Sequence, residues 1–384
     1  MTPPTLPDYS GGSLVNLVAE LERRLIGSSP SPPLHDALAT LIPEASSYVL
    51  VLFDGLGSGQ LEHPAAHSMA AAALAHIDAP FPTTTTVSLA TVATGLPPSQ
   101  HGLIGYQMRL AELDAVVNTI KWTTLWGEPV AFDTSSLLPS PNLWERLAGK
   151  GAEPVTIQPA HFEGSPLTRL LYRGCRFDGV TTTDELVSAT AQLAAVPGRL
   201  IFTYVPHVDF AAHVYGQKSP DYAGAVGLAD TVWSALAARL PKGASLIGTA
   251  DHGHVDFPPH RQVKIERRDH ESRDFSGDGR AMYVHGEGAS LAETLPAAWY
   301  SRGDMRDWWG PGPEHPAIDG RAPDGVLLAD DDHLLLHKHS DDRMVGNHGG
   351  LTAAERRIPL LVAYRDGGRA ESTSPPVAQE PKAV

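Results

Sequence analysis

Tyr48-Val49-Leu50-Val51-Leu52-Phe53-Asp54-Gly55 is a continuous apolar run that stops abruptly at an acidic turn. Apolar residues without alternation suit a strand buried on both faces, as in a parallel sheet covered by helices. In such sheets ligand sites collect where the strands end, so Asp54 is a candidate ligand as well as a candidate turn residue. Two more apolar strands finish in the same way. Arg199–Val205 runs on to His207-Val208-Asp209, and Ser245–Ala250 runs on to Asp251-His252-Gly253. Helical stretches, Asp184–Ala194 and Tyr222–Leu240, feed these two strands. The alternation predicts an α/β fold with a mostly parallel central sheet and helices on both faces.

Working outward, Ser13 caps a helix whose stripe is Leu14, Leu17, Val18, Leu21 and Leu25. Helices are expected over His67–His76, Val87–Thr94 (ended by Gly95) and Asn142–Ala148, with Pro154–Gln158 extended and a last strand at Ile358–Tyr364. Residues 255–345 are less regular and read as an insertion or cap holding one strand, Ala281–His285, and one helix, Leu291–Tyr300. Residues 1–12 and the tail 366–384 read as disordered ends, leaving 13–365 as a single domain with no internal repeat.

The 384 residues, 42% of them hydrophobic, can bury a large core. A formal charge of −15 without basic runs argues against a nucleic-acid or anionic-membrane surface. An anionic substrate would therefore need a local positive site, which bound cations would supply. The lone Cys175 excludes an intramolecular disulfide and a cysteine-based zinc site. With no signal-like start and no apolar stretch near the roughly 20 residues that cross a bilayer, a cytoplasmic protein is expected.

An Asp after one strand is ordinarily a turn or cap; three, two of them with a nearby His, are harder to explain that way. Asp209 and His213, spaced i and i+4, share one helix face and can chelate one ion. Asp251 and His252 can converge from a loop that Gly253 keeps tight. His348, between Asn347 and Gly349-Gly350, sits in another close-approach loop. Thr83 to Thr86 read mostly as a strand end and N-cap, yet one hydroxyl at that helix N-terminus would face an anion with the helix dipole behind it. Three Asp, three His and a Thr cluster are what a two-metal phosphoryl-transfer site requires.

Strand-Asp-Gly, Pro-Thr-x-Thr leading to Thr-Gly-Leu-x-Pro and His-Gly, Asp-x-x-x-His, Asp-His-Gly and a late Asn-His-Gly, in that order, resemble the alkaline phosphatase superfamily. The nearest branch is that of the nucleotide pyrophosphatases and phosphodiesterases. The motifs span Asp54 to His348. The resemblance implies an alkaline phosphatase-like fold and two divalent metal ions. One ion is held by Asp209, His213 and His348, the other by Asp54, Asp251 and His252 with Thr85. It also implies a nucleophile ten residues before Gly95, which is Thr85, with Thr84 and Thr86 as the alternatives. Mixed imidazole and carboxylate ligands favour zinc. The implied activity is hydrolysis of a small phosphate ester or nucleotide through a phosphothreonine, on phosphodiester or pyrophosphate bonds.

Departures from the pattern concern the substrate. Tyr106 stands where the branch places a phosphoryl-binding Asn, so Tyr106 or Gln107 is the expected substrate contact. Thr86-Val87-Ser88-Leu89 replaces the branch's Phe-Pro-Asn-His. His101 reads as structural, and Arg109 and Lys121 as surface ion pairs. His254, Asp256, His260, His333, His337 and His339 read mostly as solvated or capping residues. A phosphate monoesterase with the same metals is the nearest alternative, and a catalytically silent binding protein of the same fold the more distant one. A sulfatase is disfavoured because Cys175 lies in Cys-Arg-Phe-Asp-Gly, and a phosphomutase because the cluster offers Thr in place of Ser.

Overall fold

The computed structural model of the chain describes residues 3–134 and 137–365, so the tail 366–384 lies outside the described residues. Its centre is a seven-stranded sheet in the order Ala73–Asp78, Arg357–Tyr364, Ala244–Thr249, Ser47–Phe53, Arg199–Val205, Glu153–Pro159 and Arg176–Val180. Ser47–Phe53, the apolar run that ends at Asp54, is central and buried at every residue. It pairs in parallel with Arg199–Val205 and Ala244–Thr249. Arg357–Tyr364 runs antiparallel to both of its neighbours. Register sets where the strands stop. Phe53 lies opposite Val205, and Leu52 opposite Thr249, so three adjacent strands end side by side.

Helices pack around this sheet in two groups. Leu14–Ile26, Thr85–Thr94 and Leu143–Gly149 form one, and Thr183–Ala194, His207–Tyr215 and Pro220–Arg239 the other. The caps are those the sequence offered. Asn16 accepts from both the amide and the hydroxyl of Ser13, at 3.0 and 2.6 Å, and Gly95 ends its helix in the left-handed region, where glycine carries no steric penalty. Among the described residues no helix is long and apolar enough to cross a membrane.

Several expectations need correction. The helix over His67–His76 stops at Ala72, and Ala73–Asp78 becomes the edge strand, paired with Arg357–Leu361. Its alanines would favour a helix, but the backbone bonds of the ladder override that weak preference. The helix over Leu291–Tyr300 is replaced by a short 3-10 turn, Ala289–Glu293, and a strand, Ala297–Ser301. Pro296 lies between them and would have broken an α-helix. Residues 3–12, read as a disordered end, are in part buried, at Pro7, Tyr9 and Gly11. Tyr9 is buried, donating to Trp308 O at 3.0 Å and accepting from the Phe81 amide at 3.0 Å.

Residues 255–345 are also more regular than expected. They hold a four-stranded antiparallel sheet ordered Asp274–Gly277, Ala281–His285, Gly325–Ala329 and Ala297–Ser301, with its own apolar cluster around Phe275, Met282, Val284 and Leu327. A short ladder, Val255–Asp256 with Gly346–Asn347, ties the chain's exit from this region to its return.

One buried ion pair joins the two sheets. Arg280 Nε lies 3.1 Å and Nη2 3.3 Å from the two oxygens of Glu355, and Nη1 donates to Asp330 O at 2.7 Å. Glu355 in turn accepts from the Gly350 amide at 2.9 Å, beside the loop of His348. Burial alone would raise the Glu355 carboxyl; Arg280 and the surrounding donors outweigh it and hold it below its ordinary value. Arg280→Ala strands that buried carboxylate and should cost about 3–5 kcal/mol in denaturant unfolding. Arg109→Ala, whose partner Asp114 is exposed, should cost under about 1 kcal/mol in the same assay.

Candidate active site

The aligned strand ends deliver three carboxylates to one place. Asp54 follows Phe53, Asp251 follows the strand ending at Thr249, and Asp209 lies on the helix His207–Tyr215 that starts just past Val205. The backbone approaches closely here. The Asp209 amide donates to Asp54 O at 3.0 Å, and Gly55, at φ 72°, lies so near that a Cβ would fall 2.8 Å from Asp209 Cα.

Around Asp54 the polar atoms converge. Asp251 Oδ1 accepts from the amides of Gly55 and His252, both at 3.0 Å, which fixes the carboxylate and leaves Oδ2 facing inward. His252 Nε2 lies 3.3 Å from Asp251 Oδ2, 3.6 Å from Asp54 Oδ1 and 3.2 Å from Thr85 Oγ1. Tyr204 donates to the other Asp54 oxygen. Asp54 Oδ1 and Asp251 Oδ2 are buried with no hydrogen-bond partner.

A second cluster forms about Asp209. His213 Nε2 is 3.3 Å and His348 Nε2 3.7 Å from Asp209 Oδ1, and the two Nε2 atoms stand 3.2 Å apart. Each ring is held from behind. His213 Nδ1 faces Gly346 O at 2.7 Å, and His348 Nδ1 faces Thr83 O at 2.8 Å. His252 follows the same rule, with Nδ1 3.1 Å from Gly253 O. An Nδ1 proton given to a carbonyl leaves each Nε2 lone pair directed into the site, the tautomer a metal ligand needs.

Burial first, then the charges of Asp251 and Asp209, push the Asp54 carboxyl well above the usual carboxylate range. Burial also raises Asp209, but the surrounding His213, His254 and His348 outweigh it and hold that carboxyl well below its ordinary value. Burial and neighbouring imidazoles hold His348 low, and burial holds His213 low, so both rings stay neutral. Unpartnered acidic oxygens and neutral imidazoles aimed at common points form a donor set that fits two divalent cations.

Each threonine of the cluster has a different environment. Thr83 Oγ1 bonds Gly350 O at 2.9 Å, Thr84 is the N-cap of the helix and its hydroxyl meets Asp278, and Thr86 Oγ1 is 3.0 Å from Thr119 Oγ1. Thr85, first residue of the helix, is the one beside His252. Tyr106 and Gln107 are each engaged by another side chain. The Tyr106 hydroxyl accepts from Asn118 at 2.7 Å, and Gln107 Oε1 meets His337 Nε2 at 2.9 Å. His101 is buried, 3.2 Å from Thr91 Oγ1, with burial taking its imidazole down to about 3.

Two residues of this neighbourhood are missed by sequence reasoning. His254 is fully buried, with Nε2 2.9 Å from Asp209 Oδ1, in place of the solvated or capping role expected for it. Its signal is available in the spacing, since it follows Asp251-His252-Gly253 directly. Asp278 comes from the second sheet and faces Thr84; burial, with the charge of Glu355, pushes its carboxyl up to about 8. No motif marks it. His337 is buried too, and its Nδ1 accepts from the His339 amide at 3.2 Å, as the capping alternative allows.

Comparison with known proteins gives a consistent result. A family model for type I phosphodiesterase / nucleotide pyrophosphatase matches residues 48–351. The fold is similar to murine ectonucleotide pyrophosphatase / phosphodiesterase 5, at a TM-score of 0.63 and 19% identity, covering 83% of this chain and 88% of that one. It is also similar to the phosphonoacetate hydrolase of Sinorhizobium meliloti 1021 in complex with phosphonoformate, at a TM-score of 0.61 and 17% identity, covering 86% and 93%.

The acidic cluster sets a sign for pH dependence. A carboxyl whose folded pKa is raised binds its proton more tightly in the native state, so stability falls as pH rises from the unfolded value through the folded one. In the presence of a chelator, Asp54→Asn should therefore be more stable than the wild type at pH 7 to 8 and equal to it below about pH 4. Added divalent ion should raise the wild-type melting temperature and leave the variant's far less changed. A variant less stable than wild type at pH 8 in chelator would contradict this account.

Proposed function

The chain belongs to the type I phosphodiesterase / nucleotide pyrophosphatase family, and from that premise we propose that it hydrolyses phosphodiester or nucleotide pyrophosphate bonds of small molecules with Thr85 as nucleophile. The observation that carries the reading is the convergence of Thr85 Oγ1, His252 Nε2, Asp54 Oδ1 and Asp251 Oδ2 next to a second Asp and His cluster. In this reading Asp209, His213 and His348 hold one divalent ion. Asp54, Asp251 and His252, with Thr85, hold the other, and zinc suits both sets. Such ions supply Lewis-acid polarisation of phosphoryl oxygens and lower the pKa of a bound nucleophile.

The chain's own part is positioning. Thr85 sits at the N-terminus of a ten-residue helix, where free amides and the dipole favour a phosphoryl group. Its Oγ forms a bond to phosphorus as the bond to the leaving oxygen breaks, and water then displaces the phosphoryl group from Thr85. Burial pushes the Asp278 carboxyl up to about 8, which favours its uncharged form beside Thr84 and lessens its repulsion of an anion there. Tyr106 and Gln107 are proposed to contact the substrate from the segment that Thr119 ties to Thr86.

Two similar structures support phosphoester or phosphonate hydrolysis in outline. A threonine-to-alanine form of the murine protein is described as inactive and in complex with AMP. Another similar structure is of a hydrolase bound to phosphonoacetate.

Thr85→Ala should retain both ions by elemental analysis, since three other ligands remain at its site, and should lose roughly 10⁴-fold or more of turnover, as removal of a nucleophile does. Thr85→Ser should keep measurable activity. Assayed on aryl phosphates, the wild type should favour diester over monoester. Turnover near wild type in Thr85→Ala would remove the nucleophile assignment, and a monoester preference would point to the phosphate monoesterase instead.

A further inference from the structure

We propose that His254 is a positioning residue rather than a fourth metal ligand: it donates a hydrogen bond that fixes the Asp209 carboxylate. The inference rests on the two-ion reading of the site.

By distance alone His254 qualifies as a ligand. Its Nε2 is nearer to Asp209 Oδ1 (2.9 Å) than are those of His213 (3.3 Å) and His348 (3.7 Å). The ligand atoms of all four residues lie within 4.8 Å of one another. The far side of the ring tells it apart. His213, His348 and His252 each have Nδ1 against a backbone carbonyl, at 2.7, 2.8 and 3.1 Å. His254 Nδ1 is buried and has no partner. A proton there would be a buried N–H without an acceptor, which is costly. A ring proton therefore belongs on Nε2, where Asp209 Oδ1 accepts it at 2.9 Å. A protonated Nε2 has no lone pair to offer an ion.

The ring is locked in this attitude. Gly346 packs against it so closely that a Cβ there would fall 2.8 Å from His254 Nδ1. Gln60 Nε2 donates to His254 O at 3.0 Å. The residues immediately after it form the ladder Val255 with Asn347 and Asp256 with Gly346, the strand whose Gly346 carbonyl also holds His213. With His254 as donor, the Asp209 site keeps three protein ligands and an open position for substrate, which four ligands would close.

The test uses the full-length protein, wild type and with His254→Leu or His254→Gln. Divalent-ion affinity is measured by chelator competition, and ligation by cadmium-113 to nitrogen-15 coupling in cadmium-loaded protein. Leu should weaken one of the two ions about 10–100-fold. Gln, whose amide can donate from the same place, should recover most of that loss. Cadmium should couple to His213 and His348 and not to His254. Coupling to His254, wild-type affinity in the Leu variant, or a Gln variant as weak as Leu overturns this inference alone. A wild-type protein that binds no divalent ion overturns the two-ion reading, and this one with it.

Discussion

Asp54, Asp209 and Asp251 stand at or just past the ends of three neighbouring parallel strands, so their carboxyl groups cannot avoid one another. Buried like charges at such separation repel strongly, and water is not there to screen them. The structure answers with what it has. Tyr204 donates to Asp54, two amides donate to Asp251, and three imidazoles crowd Asp209. The compensation is incomplete, because one oxygen on Asp54 and one on Asp251 remain without a partner. A fold that keeps this arrangement gives up stability in the ion-free chain, the usual signature of a site shaped for a cation rather than for packing.

One histidine of the site comes from much later in the chain than the rest. His348 arrives only after the whole of residues 255–345, so its position depends on how that region is closed. The closure uses a two-residue ladder beside His254 and the Arg280–Glu355 pair, whose carboxylate also binds the Gly350 amide. Neither device touches the reacting atoms. Both decide where an imidazole points, and an ångström of drift there would separate Nε2 atoms that now share one focus.

What is legible in the sequence and what is not divides along these physical lines. Asp54, Asp209 and Asp251 are readable because a buried strand is a simple apolar run and its end is sharply marked. Asp209 and His213 are readable as a pair because helix periodicity is local. Leu291–Tyr300 has the apolar spacing of a helix, and only Pro296 within it signals the break. Ala73–Asp78 is hidden because its pairing partner lies some 280 residues later, beyond any local pattern. Tyr9 is concealed in a Pro- and Gly-rich segment whose composition resembles a tail. His254 is easily grouped with the histidines of the cap because it adjoins residue 255, whereas its ring belongs to the loop it ends.

The threonine cluster shows why neighbouring identical residues cannot be ranked from sequence and can be separated by environment. Thr83 offers its carbonyl to His348 Nδ1, while its hydroxyl bonds Gly350 O and takes the Gly349 amide at 3.2 Å. The segment that carries Thr85 and the loop that carries His348 are therefore one mechanical unit. Thr86 is tied through Thr119 to the backbone of Gly105 and Tyr106, so the segment proposed to meet substrate joins the same unit. With its neighbours committed to structure, Thr85 is the cluster member whose hydroxyl faces His252. A hydroxyl held on the same framework as both clusters cannot wander relative to them, and such preorganisation is where electrostatic catalysis finds most of its advantage.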